Sequence, residues 1–150
     1  LYANVPSNGQ LIVADRQSRR VVTRWAITAQ ANYPMALDES GGRLFIGCRR
    51  PALLVVVDTT TGRTVGSTAI VGDTDDLFYD RTRQRLYVIG GEGFIDVFQR
   101  DGDTLQRIER MATRPGARTG LWVPGESRLY VAVPAREGQP AEIRVFDRPN

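Results

Sequence analysis

Histidine and lysine are absent from this chain of 150 residues, and cysteine occurs once. Without histidine, the chain can form no Ser-His-Asp triad, no Cys-His pair, no imidazole proton shuttle and no histidine-bound zinc site. A single cysteine excludes an internal disulfide, and Cys48 follows an apolar phrase that predicts a buried structural thiol. No apolar run approaches the roughly 20 residues that a membrane-spanning helix needs. Several common hydrolytic mechanisms are therefore excluded.

The positive charge is carried by arginine alone. The 20 arginines are scattered among 17 acidic residues, and the formal net charge is +3. Scattered charge is typical of a solvated surface rather than of a nucleic-acid track. The aromatic residues do not alternate with arginines along one face, so the sequence offers no platform for base stacking. Nucleic acid is therefore not an expected partner.

One phrase is written three times along the chain, as RLFIG at Arg43–Gly47, RLYVI at Arg85–Ile89 and RLYVA at Arg128–Ala132. A shorter copy opens the chain. The equivalent leucines, which stand 42 or 43 residues apart, are Leu1, Leu44, Leu86 and Leu129. A period of about 40–45 residues with several short strands is the spacing of β-propeller blades. The sequence predicts an all-β propeller of four-stranded antiparallel blades.

The order of strands and turns returns in each repeat. Strands are expected at Leu1–Val5, Gln10–Ala14, Val21–Ile27, Pro34–Asp38, Arg43–Cys48, Ala52–Val57, Arg63–Val71, Leu77–Asp80, Arg85–Gly90, Phe94–Gln99, Leu105–Ile108, Thr119–Val123, Arg128–Val133 and Glu142–Phe146. The first repeat lacks its first strand and the last repeat lacks its fourth. About 3.5 blades, or half of a seven-bladed ring, are expected, divided as 1–30, 31–72, 73–115 and 116–150. The ring is expected to be completed by the remainder of the same propeller or by a second copy.

Two phrases carry a resemblance to a known family. PMALDESGGRLFI at Pro34–Ile46 and VVVDTTTG at Val55–Gly62 resemble the YncE-like, or YVTN-type, β-propellers of bacteria. Gly72–Asp80, with Gly91–Phe98 after it, resembles a secreted subgroup without assigned chemistry. The resemblance covers essentially the whole chain. It implies a periplasmic or secreted protein, often with seven blades, and some relatives are called lactonase-like.

The first strand of each blade lines the channel of a propeller, and the loop before it faces one mouth. Alignment on the repeated leucine places Tyr33 beside Asp75 and Arg118, and it places Pro34 beside Asp76 and Thr119. The residues predicted to bind a ligand at the channel mouth are Asn32, Tyr33, Asp75, Asp76, Arg118 and Thr119. The sequence does not name that ligand.

The acidic run Asp73, Asp75 and Asp76 has two interpretations. Closely spaced oxygen ligands suit Ca²⁺ or another divalent cation, and Asn32 could add a carbonyl oxygen. Asp and Thr are also common turn residues whose side chains bind nearby backbone amides, and a structural turn is the favoured interpretation. If neither Arg118 nor a cation offsets them, these carboxylates should raise one another's pKa.

Three functional hypotheses remain open. The first is a binding module that presents its channel mouth to a small ligand, a peptide or a partner protein. The alternative is a lactonase-like hydrolase, in which a divalent cation polarises a carbonyl and Asp75 or Asp76 acts as general base. In the third, this part of the propeller is only scaffold. The binding module is the favoured hypothesis, and whether the protein is an enzyme stays open.

Overall fold

The computed structural model describes residues 1–147 and contains fourteen β-strands and no helix in that range. The strands are β1 (Tyr2–Val5), β2 (Gln10–Asp15), β3 (Arg20–Ala26), β4 (Gln30–Asp38), β5 (Arg43–Arg50), β6 (Ala52–Asp58), β7 (Thr64–Ala69), β8 (Thr74–Asp80), β9 (Arg85–Gly90), β10 (Phe94–Asp101), β11 (Thr104–Ala112), β12 (Thr119–Val123), β13 (Arg128–Val133) and β14 (Glu142–Asp147). The predicted all-β fold is confirmed. Among the described residues there is no helix that could cross a membrane.

The strands form four antiparallel sheets in which neighbours in sequence are neighbours in space. Sheet 1 contains β1 to β3, sheet 2 contains β4 to β7, sheet 3 contains β8 to β11, and sheet 4 contains β12 to β14. As predicted, sheet 1 lacks an inner first strand, and sheet 4 lacks an outer fourth strand within residues 1–147. The division into units at 1–30, 31–72, 73–115 and 116–150 stays a prediction, and β4 begins one residue before the second unit.

Apolar residues from facing sheets pack into three buried clusters, one for each pair of consecutive sheets. The cluster between sheets 2 and 3 contains Phe45 and Val56 from one side and Leu86, Val88 and Phe98 from the other. The alternation of side chains along a strand explains why both faces of a central sheet are apolar, since each face meets a different neighbour. The outer strands β3, β7 and β11 are largely exposed.

The turn after β6 shows how local side-chain hydrogen bonds specify a hairpin. The Asp58 carboxylate accepts hydrogen bonds from the backbone amides of Thr60, at 3.0 Å, and Thr61, at 2.8 Å. Gly62 follows with a φ of 72°, a backbone conformation that residues other than glycine rarely adopt. The hydrogen bonds from Thr61 lower the pKa of the Asp58 carboxyl, so this turn is stabilised by a charged cap.

The grouping of the strands into sheets determines whether a second copy could complete a seven-bladed ring. The fourteen strands of residues 1–147 are half of the roughly 28 strands in a seven-bladed ring of four-stranded blades, but they lie in four separate sheets. Two copies side by side would therefore bring eight sheets, each with at least three strands. Two copies of this four-sheet arc therefore do not make a seven-bladed ring. Such a ring would need other strands to complete sheets 1 and 4.

Candidate functional site

Two of the three inner strands, β4 and β8, have a register shift near their first residues, at the end of the fold that we call the mouth. The register of β4 against β5 shifts between Asn32 and Met35, and that of β8 against β9 shifts between Thr74 and Asp76. Equivalent positions of the three repeats have a positive φ, which is 57° for Ala31 in β4, 53° for Asp73 just before β8 and 91° for Gly116 in the loop before β12. Bulges of this kind redirect side chains next to functional sites.

Four charged side chains from three sheets meet at the mouth in an ion-pair network of Arg49, Asp73, Asp75 and Arg118. Arg49 lies 3.0 Å from Asp73 through its Nη1 atom and also pairs with Asp75. Arg118 contacts Asp73 at 2.7 Å and Asp75 at 2.9 Å. Hydrogen bonding to Asp73 and the charges of both aspartates raise the pKa of Arg118. The prediction that Arg118 lies beside the acidic run agrees with this geometry.

Tyr33 joins the network through its ring. The Arg49 guanidinium lies over that ring, 4.4 Å from its centroid, and its Nε atom donates to the Thr74 carbonyl at 2.9 Å. Contacts of this kind between an arginine and an aromatic face are favourable by about 0.5–2 kcal/mol. Tyr33 still exposes 46% of its surface. Tyr33, Asp75 and Arg118 therefore lie at one end of the fold, as the repeat alignment predicts.

Arg49 is the member of this group that sequence reasoning missed. It is the next-to-last residue of β5, a second strand, whereas the predicted site contained only residues of first strands and of the loops before them. The repeat alignment gives no signal for it, because Gly91 and Pro134 occupy the equivalent positions in the following repeats. Its position at the mouth emerges only when sheets 2 and 3 are packed together.

Asn32 does not belong to an accessible site, and its predicted contact with a ligand is corrected here. The residue is fully buried. Its Nδ2 atom donates to the Asn4 side-chain oxygen and to the Gln10 carbonyl, both at 2.9 Å. Because the Asn32 Nδ2 atom bonds residues of sheet 1, Asn32 joins sheets 1 and 2, while its buried Oδ1 atom has no hydrogen-bond partner among residues 1–147. The repeat alignment fails to predict the burial of Asn32, because the bulge turns the Asn32 side chain inward and the Tyr33 side chain outward.

Asp76 and Thr119 lie at the edge of the mouth. The Asp76 carboxylate accepts a hydrogen bond from the Gly120 backbone amide at 2.7 Å, which connects sheets 3 and 4. Burial raises the pKa of the Asp76 carboxyl, and the charge of Asp75 adds to that effect. Thr119 is exposed and lines an open groove on sheet 4 together with Arg118.

The side chains do not fit the predicted divalent cation. In the part of the chain that the structure describes, no three His, Cys, Asp or Glu side chains are arranged to hold a metal ion. Asp73 and Asp75 each bind two guanidinium groups, so a cation would have to displace Arg49 and Arg118. Asn32, whose carbonyl oxygen was the predicted additional ligand, is fully buried. Binding of Ca²⁺ stays an untested prediction that this geometry does not favour.

Cys48 is buried, and burial raises the pKa of its thiol to about 11. A thiol with that pKa is almost entirely protonated near neutral pH, whereas the reactive form of cysteine is the thiolate. Cys48 packs in the apolar cluster between sheets 1 and 2. The predicted burial of Cys48 is confirmed.

Comparison with known proteins identifies the class of fold. No family model and no curated protein matches the sequence. The chain superposes on 42% of Kuenenia stuttgartiensis hydrazine synthase with a TM-score of 0.86, 15% identity and 97% of this chain covered. It superposes on 44% of a chain of the mitotic checkpoint complex with a TM-score of 0.75, 15% identity and 95% of this chain covered. It superposes on 36% of a candidate 6-phosphogluconolactonase from Bacteroides fragilis with a TM-score of 0.63, 20% identity and 76% of this chain covered.

These neighbours are β-propeller proteins, and the chain is therefore part of a β-propeller. It spans less than half the length of each neighbour. At such low identities the likeness establishes the fold alone. The YncE-like resemblance stays an expectation from the sequence.

Proposed function

We propose that this chain contributes the ligand-contacting part of a propeller-type binding module, whose ligand is a small molecule, a peptide or a segment of a partner protein. The observation that carries the proposal is the convergence of Tyr33, Asp75 and Arg118 at one mouth. Each comes from a different sheet, and each occupies the same position at the start of an inner strand. Equivalent positions of three repeats thus present an aromatic ring, a carboxylate and a guanidinium at the mouth.

The chemistry of the mouth favours a ligand that combines an acceptor group with an apolar face. Tyr33 and the Arg118 side chain are each nearly half exposed, at 46% and 44%. An exposed guanidinium binds carboxylate or phosphate oxygens, and an exposed aromatic ring packs against a flat apolar surface. The ion pairs of Asp73 and Asp75 hold Arg118 in place before the ligand arrives, which lowers the entropy lost on binding.

The lactonase-like alternative has less support. It requires a cation, which the paired carboxylates do not favour, and a general base. Asp76 is the better of the two predicted bases, because its pKa is raised. The likeness to a candidate lactonase concerns the fold alone. Turnover of a lactone panel that a chelator abolishes would support this alternative against ours.

The setting of the module is part of the proposal. The family resemblance supports export to the periplasm or the cell exterior, which fractionation of expressing cells would test. Within residues 1–147, sheets 1 and 4 have three strands each where sheets 2 and 3 have four, and this difference supports the proposal that further strands complete the ring. Open sheet edges favour such pairing, because their unpaired backbone N–H and C=O groups can form hydrogen bonds with another strand.

A thermal-shift screen of small carboxylates, sugar phosphates and short acidic peptides tests the binding function. We expect a ligand that stabilises the wild type to lose most of its effect with Arg118→Ala and with Tyr33→Ala. Arg128→Ala is the matched control, because Arg128 is exposed to a similar extent and pairs with Asp147 away from the mouth. The proposal would be contradicted if no compound of the screen stabilised the wild type, or if Arg128→Ala lost the stabilisation by a ligand as much as Arg118→Ala does.

A further inference from the structure

The turn between β9 and β10 connects two segments of the mouth. The Gly91 N–H group donates to the Asp73 carbonyl at 2.9 Å, and the Gly91 carbonyl accepts from the Gly116 N–H group at 2.7 Å. Asp73 stands just before β8, and Gly116 lies in the loop before β12, two residues from Arg118. The peptide groups of Gly91 therefore join the backbone that carries Asp73 to the backbone that carries Arg118.

A side chain in place of Gly91 would collide with the ion-pair network. A Cβ atom there would overlap the Asp73 Oδ2 atom and lie 2.9 Å from the Asp73 Cγ atom. The same Oδ2 atom accepts a hydrogen bond from the Arg118 Nη1 atom at 2.7 Å. The φ of Gly91 lies outside the left-handed region, so the backbone alone would accept an alanine. The Asp73 carboxylate, and not the backbone, therefore requires glycine at this position.

The backbone before Asp73 is held in place by two carboxylates. The amide of Val71 donates to the fully buried Asp96 side chain at 2.7 Å, and the amide of Gly72 donates to the Glu92 side chain at 2.9 Å. Hydrogen bonds of this kind, to ionised groups, are about twice as strong as bonds between neutral groups. The backbone therefore resists displacement by a methyl group added to the turn. The Asp73 side chain would have to rotate instead, and it would lose its ion pairs.

We propose that Gly91 is a positioning residue of the mouth, because it leaves the room in which the Asp73 carboxylate binds Arg118. The equivalent position of sheet 2 is Arg49, whose Nη1 atom contacts the same carboxylate at 3.0 Å. One position of the repeat thus supplies a guanidinium in sheet 2 and open space in sheet 3. The role of Arg118 in ligand binding belongs to the proposed function, on which this inference rests, whereas its alignment with Asp73 can be measured without a ligand.

Nuclear magnetic resonance of the ligand-free, isotope-labelled chain tests this role through the Nε–Hε signal of Arg118, which Arg118→Lys identifies by its loss. We expect Gly91→Ala to shift this signal and to accelerate its hydrogen exchange with water about twofold to fivefold, because the guanidinium loses an exposed charged partner. Gly41→Ala is the matched control. Its new Cβ atom would likewise overlap a carboxylate, that of Asp38, which pairs with Arg100 at the end of the fold opposite the mouth. The Arg118 signal should not change in this control.

Asp73→Gly shows whether Gly91 acts through the Asp73 carboxylate. This change removes the atoms nearest to the added Cβ atom, and glycine readily adopts the φ of 53° that Asp73 has. Gly91→Ala should therefore alter the Arg118 signal in the wild type but have little further effect in Asp73→Gly. A merely structural role of Gly91 would alter the signal equally in both backgrounds.

An unchanged Arg118 signal in Gly91→Ala, an equal change in Gly41→Ala, or an equal further change in the Asp73→Gly background would overturn the proposal. If circular dichroism shows that Gly91→Ala does not fold, Asp73→Gly should restore folding in the double variant. A double variant that stays unfolded would also overturn the proposal. A compound screen without a binder would contradict the proposed function, and it would not alter these outcomes because they involve no ligand.

Discussion

The ion pair between Arg100 and Asp38 should be the most important polar contact between sheets 2 and 3. The Arg100 Nη1 atom lies 2.6 Å from the Asp38 carboxylate, and the side chains are only 9% and 3% exposed. Arg100 also donates to the Tyr79 hydroxyl at 3.0 Å, and its guanidinium lies 5.4 Å from the Phe45 ring centroid. Arg100→Met keeps much of the apolar packing and removes the charge.

The expected loss follows from the charge left behind. Removing one partner of a buried ion pair costs about 3–5 kcal/mol, because the other charge stays buried without compensation. Asp38 keeps a hydrogen bond from the Ser40 hydroxyl at 3.0 Å, so we expect the lower end, about 3 kcal/mol. For a chain of this size, each kcal/mol lowers the melting temperature by about 2–4 °C. Arg100→Met should therefore melt about 6–12 °C below the wild type.

The pH dependence gives a second measure of the same contact. Burial opposes ionisation of Asp38, but hydrogen bonds from Arg100, the Gly41 amide and Ser40 together hold its pKa below the ordinary 3.8. A carboxylate with a lowered pKa in the folded state stabilises the fold above pH 3.8, and that contribution is lost as the pH falls through the folded pKa. The difference between the wild type and Arg100→Met should therefore shrink in acid.

Urea unfolding followed by circular dichroism at neutral pH and below pH 3.8 measures both effects. Arg128→Met is the matched control, because Arg128 pairs with Asp147 at 2.6 Å while both side chains are about half exposed or more. Exposed pairs contribute about 0–1 kcal/mol. A loss with Arg100→Met as small as that of the control, or a loss that does not shrink in acid, would refute the reasoning.

Two further changes test other contacts between sheets. Asp76→Asn keeps an oxygen that can accept from the Gly120 amide and removes a carboxyl group whose pKa is raised by burial. The variant should therefore be more stable than the wild type at neutral pH, and this gain should vanish in acid, where the Asp76 carboxyl is protonated. Chemical denaturation at both pH values measures the difference, and a loss of stability at neutral pH would contradict the prediction. Gly47→Ala should destabilise the protein by about 1–3 kcal/mol, because the new methyl group would lie 2.7 Å from the Pro34 ring; a melting temperature equal to that of the wild type would contradict it.

The strands could be predicted from the sequence because each signal is local and repeated. The phrase at Arg43–Gly47 returns twice, and register with the third strand repeats as well, so Leu44, Leu86 and Leu129 all pair with the end of a third strand. Alternation and turn residues act within a few positions of each other, so nothing distant has to be known. For that reason all fourteen predicted strands are present.

The site could be predicted only in part, because it depends on how sheets pack. Alignment brings Tyr33, Asp75 and Arg118 to one mouth, since equivalent positions of stacked repeats lie side by side. It fails for Asn32, where a bulge decides which of two adjacent side chains points inward. It also fails for Arg49, whose contacts with Asp73 join different sheets and leave no trace in the repeat.

The exclusive use of arginine has a structural consequence at the interfaces between sheets. A guanidinium presents five N–H donors in a planar fork, so one side chain can bind two carboxylates in fixed directions. Arg49 and Arg118 each bind both Asp73 and Asp75, and Arg43 binds Asp58 within its own sheet and Asp103 of the next. A lysine ammonium is a compact point charge on a flexible stem, and it would not fix these angles. Arg43, Arg49 and Arg118 therefore join neighbouring sheets, and at the mouth these ion pairs hold the Arg118 guanidinium in place.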